Sequence, residues 1–132
     1  MWLGRVPTRR ERERMQIESL VHLAPELPGN AQDVIRRSVP MLDLVAPSTA
    51  DLDAAVNAVD GLRAERPTLI CCALGYSRSA SVMVAWLVAA RLAPTVDSAI
   101  ELVRKRRCQV VLSAAHRARL HLWAEGRVSR DQ

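Results

Sequence analysis

Residues Leu69 to Ala80 read Leu69-Ile70-Cys71-Cys72-Ala73-Leu74-Gly75-Tyr76-Ser77-Arg78-Ser79-Ala80. With Thr68 ahead of it, the segment up to Cys72 is a short run of apolar and β-favouring residues bounded by Pro67 and Gly75. That pattern predicts a central strand of a parallel sheet. Beyond Gly75, Ser79 to Arg91 is apolar on nearly every side (Val82, Met83, Ala85, Trp86, Leu87, Val88), which predicts a buried helix ended by Pro94.

Working upstream, Ser48 and Asp51 open a helix whose apolar stripe is Leu52, Ala55, Val56, Val59 and Leu62, stopping near Glu65. Ser38 to Leu44 predicts a short strand with Asp43 at its C-terminal end, and Leu20 to Leu23 another. Pro25, Pro28, Gly29 and Asn30 mark a loop between them. Thr8 with Glu11 is a capping box at the start of a short charged helix. Downstream, helices are expected from about Val96 to Arg107 and from Ser113 or Ala114 to about Glu125, the second packing Leu120 and Trp123. The fold class is therefore α/β, a single domain over residues 1–132 with a short, mainly parallel sheet flanked by helices.

Composition narrows the classes. No Phe and one Tyr among 132 residues leave the core to Leu, Val, Ile, Ala and three Trp. The uncharged apolar stretch Ala80 to Ala90 falls well short of the ~20 residues of a membrane span, and the N-terminus has no signal-peptide core. Three cysteines, two of them adjacent, make a poor disulfide framework and favour a reducing, cytoplasmic setting. The net charge of +5 is carried almost wholly by Arg, clustered at 9–14, 36–37 and 104–107. Such clusters suit an anionic partner or a solvated surface equally well.

Ligands of open α/β sheets sit beyond the carboxyl ends of the strands, where Asp43 and the loop after Cys72 both fall. Ala73, Leu74, Gly75, Tyr76 and Ser77 are small or adaptable enough for their N–H groups to curl around one anion, with Arg78 adding a planar fork for two oxygens. The same field favours the Cys72 thiolate over the thiol. Side chains alternate along a strand, so Cys71 is expected to point away.

The run from Cys72 to Ser79, Cys, five residues, Arg and Ser, resembles the signature loop of the cysteine-dependent protein tyrosine phosphatase superfamily. The segments "WLGRVPT", "MLDLVAPS", "SASVMVAWLVAARL" and "AIELVRKRR" resemble its compact dual-specificity branch, bacterial members included. The resemblance implies a phosphomonoesterase acting through a phosphocysteine. In it Cys72 is the nucleophile, and Arg78 with the amides of residues 73–78 holds the phosphate. Asp43, 29 residues before Cys72, is the general acid and base, and Ser79 bonds the Cys72 sulfur. It implies no metal or cofactor. The implied partner is a protein phosphorylated on Tyr, or on Ser or Thr, with a phospholipid headgroup or an RNA 5′ end as the alternative phosphomonoesters; the absence of extra lysines in the loop speaks against highly phosphorylated inositol lipids. The family usually has His before the nucleophile; here that residue is Cys71.

Asp51 is explained as a helix-start residue and Asp53 as part of an exposed turn, which leaves Asp43 as the acid. Cys71 and Cys108 read as core filler, the alternative being a protective bond from Cys72 to one of them under oxidation. His22, His116 and His121 show no metal-binding grouping and read as structural or surface residues. Tyr76 either stacks on a substrate ring or covers the loop. Two other classes explain less: a phosphate-binding module without catalysis, motivated by Cys71, and an Arg-rich nucleic-acid binder, which leaves the Cys72 loop without a purpose.

Overall fold

The computed structural model describes residues 2–5, 7–24, 34–42, 45–72, 77–107, 110 and 112–131. Asp43, Leu44, residues 25–33 and 73–76, and Cys108 lie outside them. In chain order the elements are β1 (Trp2–Arg5), α1 (Arg9–Met15), β2 (Ser19–His22), β3 (Ile35–Ser38), α2 (Thr49–Arg63) and β4 (Thr68–Cys72), followed by α3 (Arg78–Ala89), α4 (Val96–Arg106) and α5 (Ala114–Asp131). The strands form one sheet in the order β1-β4-β2-β3, every pair parallel.

β4 lies between β1 and β2 and is buried along its whole length, as a strand covered on both faces must be. Its side chains divide by alternation. Ile70 and Cys72 enter the large core built by α2 to α5, which includes Leu52, Val59, Val82, Ile100, Leu120 and Trp123. Leu69 and Cys71 join a small cluster with Ile17 and Leu20 on the other face. From Arg78 to Trp86, α3 is buried at nine consecutive positions, the all-round burial its apolar sequence demands.

The edge strand and Asp53 both differ from expectation. The strand expected over Ser38 to Leu44 is instead Ile35–Ser38. Val39 and Met41 still donate to β2-side carbonyls, at 3.0 Å to His22 O and 3.0 Å to Leu23 O. Pro40 between them has no N–H to give, so the regular ladder ends before it. Arg36 and Arg37 disguised the true strand because charged residues on a sheet edge read like a loop. Asp53 is no turn residue: it sits half-buried in α2, where it accepts a hydrogen bond from Trp123 Nε1 at 2.8 Å and lies 3.8 Å from Arg127. That carboxylate ties α5 to α2.

Helix ends follow their caps. Thr8 and Glu11 exchange both bonds of the expected capping box, and Ser48 Oγ accepts from Asp51 N–H at 3.0 Å. α5 runs to Asp131, past the expected Glu125. α3 ends at Ala89, two residues before the expected Arg91, which takes a left-handed φ of 60°. Arg91 N–H donates to Val88 O at 3.1 Å and Leu92 N–H to Leu87 O at 2.9 Å, the bonds of a Schellman turn that usually places glycine at this position. An L side chain there is strained, whereas glycine is not. Arg91→Gly is expected to raise stability by about 0.5–1 kcal/mol after the entropy glycine adds to the unfolded chain. Urea unfolding checks this through an increased midpoint with an unchanged slope.

Candidate active site

The carboxyl ends of β4 and β2, the segment after β3 and the start of α3 meet at one edge of the sheet. Backbone bonds set them side by side. Leu23 N–H donates to Cys71 O at 2.9 Å, Met41 N–H donates to Leu23 O at 3.0 Å, and Arg78 Nη1 donates to Met41 O at 3.1 Å. The last bond fastens the first turn of α3 to a point two residues before Asp43. The carbonyl of Met41 left no mark in the sequence, because a backbone acceptor is common to every residue.

Cys72 is 2% exposed, with Sγ 3.5 Å from Ser79 Oγ. The neutral thiol donates to that hydroxyl; an ionised sulfur accepts from it instead, so Ser79 serves either state. Arg78, the first residue of α3, is 1% exposed. Ser77 precedes it as N-cap without making a side-chain cap bond. The first turn of an α-helix carries N–H groups that its own carbonyls do not satisfy, and its dipole presents positive charge. A buried guanidinium at that end adds positive charge at the start of α3, a setting suited to an anion.

Cys71 is fully buried on the opposite face, across the ladder from His22, which is also buried. Burial first, and then the neighbouring Cys72 sulfur, pushes the Cys71 thiol up from 9.0 to about 12, against a lowering by Arg36. Cys71 is therefore a neutral thiol under ordinary conditions. Of the other histidines, His116 is buried with Nδ1 2.6 Å from Ser113 Oγ, and His121 is exposed with Nε2 3.3 Å from Asp97 Oδ1. Among the described residues no group of three His, Cys, Asp or Glu side chains is placed to hold a metal ion. The site residues Asp43, Ala73, Leu74, Gly75 and Tyr76 lie outside the described residues; Cys72, Ser77, Arg78 and Ser79 are brought together.

Residues 1–125 match the family described as "Dual specificity phosphatase, catalytic domain". The chain belongs to the dual-specificity phosphatase family. It is thus a member of the cysteine-dependent protein tyrosine phosphatase superfamily. No curated protein matches it in sequence. Among solved structures, Tk-PTP in its active form is 27% identical with a TM-score of 0.81, the match covering 92% of this chain and 88% of that one. Human DUSP28 is 24% identical with a TM-score of 0.85, covering 98% and 94%. PTPMT1, solved in complex with PI(5)P, is 18% identical with a TM-score of 0.86, covering 98% and 93%. The last two establish likeness of fold. No helix among the described residues is long and apolar enough to cross a membrane.

The raised Cys71 titration makes stability fall at alkaline pH. Between pH 9 and about 12 the folded state keeps a proton that the unfolded chain has released. Stability conferred by the neutral thiol is full below that window and is lost as pH rises through it. Unfolding free energy measured from pH 8 upward is expected to fall less steeply in Cys71→Ala than in the wild type, whatever the cavity costs at pH 8. Fragment mass spectrometry after brief iodoacetamide treatment at pH 8 is expected to place the label on Cys72 and leave Cys71 unmodified.

Proposed function

We propose that this phosphatase hydrolyses phosphomonoesters through a phosphocysteine, with phosphotyrosine in proteins as its main substrate and phosphoserine and phosphothreonine as further ones. The observation that carries the reading is the convergence of Cys72, Ser79 and Arg78 where the buried strand β4 gives way to the buried helix α3.

In the first step the Cys72 thiolate attacks phosphorus in line. The S–P bond forms as the bond to the leaving oxygen breaks, and Asp43 gives that oxygen its proton. Arg78 and the amides of residues 73–78 hold the non-bridging oxygens, where transition-state charge is stabilised in a site shielded from water. In the second step water attacks phosphorus, Asp43 takes its proton, and the S–P bond breaks to return the thiolate. Ser79 O–H donates to the departing sulfur. The cradle carries a single guanidinium, and Ala73, Leu74 and Ser77 are neutral, which favours a singly phosphorylated substrate. We further propose that the chain acts as one catalytic domain in the cytoplasm. The PI(5)P bound by PTPMT1 makes a phosphoinositide the second substrate class worth testing.

Turnover of p-nitrophenyl phosphate in EDTA is expected from the wild type and is expected to vanish in Cys72→Ser. Arg78→Lys is expected to lose on the order of 10²–10³ in kcat, and Asp43→Asn on the order of 10²–10⁴. Activity surviving in Cys72→Ser overturns the mechanism. A folded, reduced wild type that binds vanadate yet releases no phosphate is a binding module instead. Greater kcat/KM on phosphatidylinositol 5-phosphate than on a phosphotyrosyl peptide overturns the protein-substrate assignment.

A further inference from the structure

A groove of about 590 Å³ opens between β1, α3 and α4, away from the Cys72 end of the sheet. Its floor is apolar, formed by Met83 and Leu87 of α3 and Val103 of α4, with Leu92 and Leu102 on its walls. The wall residues are unusually open for leucine, 57% and 42% exposed. Leu92 is held there by the Schellman turn described above, whose bond to Leu87 O folds it back over the end of α3. Every charged residue lining the groove is an arginine: Arg63, Arg106 and Arg107. A second concavity among the described residues, beside α1, differs in that Arg12 and Arg66 share its lining with Glu13, Glu18 and Glu65.

Two of the groove's three arginines are already oriented. The Arg63 guanidinium lies 4.8 Å over the Trp86 ring, and Arg107 Nη2 donates to Leu3 O at 2.8 Å. Each keeps its charge while much of its side-chain freedom is gone, which lowers the entropy lost when an anion arrives. Arg104 and Lys105 extend the positive surface along α4. An apolar trough under a positive rim is the complement of an amphipathic segment with acidic flanks, the helix-in-groove mode of recognition. A bilayer is a poorer fit, because a flat surface reaches protruding side chains and leaves a recessed floor empty.

We propose that the α3–α4 groove docks an acidic, amphipathic peptide segment of a partner protein, its apolar residues at helical spacing on the floor and its carboxylates on Arg63, Arg106 and Arg107. The groove shares α3 with the Cys72 site but runs from Met83 to Leu87, roughly 8 to 14 Å along that helix from Arg78 at about 1.5 Å per residue. Docking there leaves the Cys72 site open.

A random short-peptide phage library panned on the wild-type protein tests this. Enriched peptides are synthesised with a fluorophore, and their binding is measured by anisotropy against wild type, Leu102→Glu, Arg106→Glu and Arg106→Lys. The altered side chains are exposed, and circular dichroism establishes that each variant is folded. The expected result is enrichment of sequences pairing apolar with Asp or Glu residues. Their affinity should fall at least about tenfold in Leu102→Glu and Arg106→Glu and be largely kept in Arg106→Lys. Three outcomes overturn the proposal: no enriched peptide that loses affinity in the two Glu variants, enrichment of sequences without acidic residues, or no peptide binding alongside co-sedimentation with phosphatidylglycerol vesicles that Leu102→Glu abolishes.

Discussion

A guanidinium held 1% exposed at the first residue of a helix is the constraint on which the rest of this structure depends. Removing such a charge from water costs several kcal/mol before its partners restore anything. The amino end of a helix also repels a cation through its dipole. Arg78 stays there because the helix behind it cannot retreat, with nine successive residues of α3 buried among α2, α4, α5 and the sheet. The hydrogen bond to Met41 O returns part of the cost and fixes the direction of the side chain. Hydrophobic packing thus holds a buried guanidinium at the start of α3, and β4 delivers the Cys72 sulfur to the same end of the sheet.

Most of this was legible because the decisive segments are extreme in pattern. β4 is a five-residue apolar strand followed by a helix apolar all round, and neither admits another reading. Thr8, Glu11, Ser48 and Asp51 announced two helix starts through local hydrogen bonds that sequence spacing alone encodes. The misses share a different cause. β3 is defined by its pairing with β2, a relation between distant segments, and its arginines mask it. Asp53 looked like a turn residue because its partner, Trp123, is 70 positions away. At the site, the type and spacing of Cys72, Arg78 and Ser79 were readable, whereas the Met41 carbonyl became visible only with the fold.

Alternation along one strand accounts for the separate characters of two adjacent cysteines. Cys72 turns toward the large core and the start of α3, while Cys71 turns into a small apolar cluster that keeps its thiol neutral. A shift of one residue in the pairing of β4 with β1 and β2 would exchange the two sulfurs. The register Cys71 to His22 and Cys72 to Arg5 is therefore part of the chemistry as well as of the fold.

The strand order β1-β4-β2-β3 also governs how the chain comes together during synthesis. β1 and β2 are made early, yet neither pairs with the other, and both wait for β4. Until residue 72 has left the ribosome, β1 has no partner strand and β2 is closed on one side only, by β3. Such non-local pairing folds slowly and leaves strand edges open to other chains in the meantime. The cysteine that completes the site is thus the last residue of the strand that completes the sheet, and a truncated chain ending before it would be an aggregation hazard rather than an inactive enzyme.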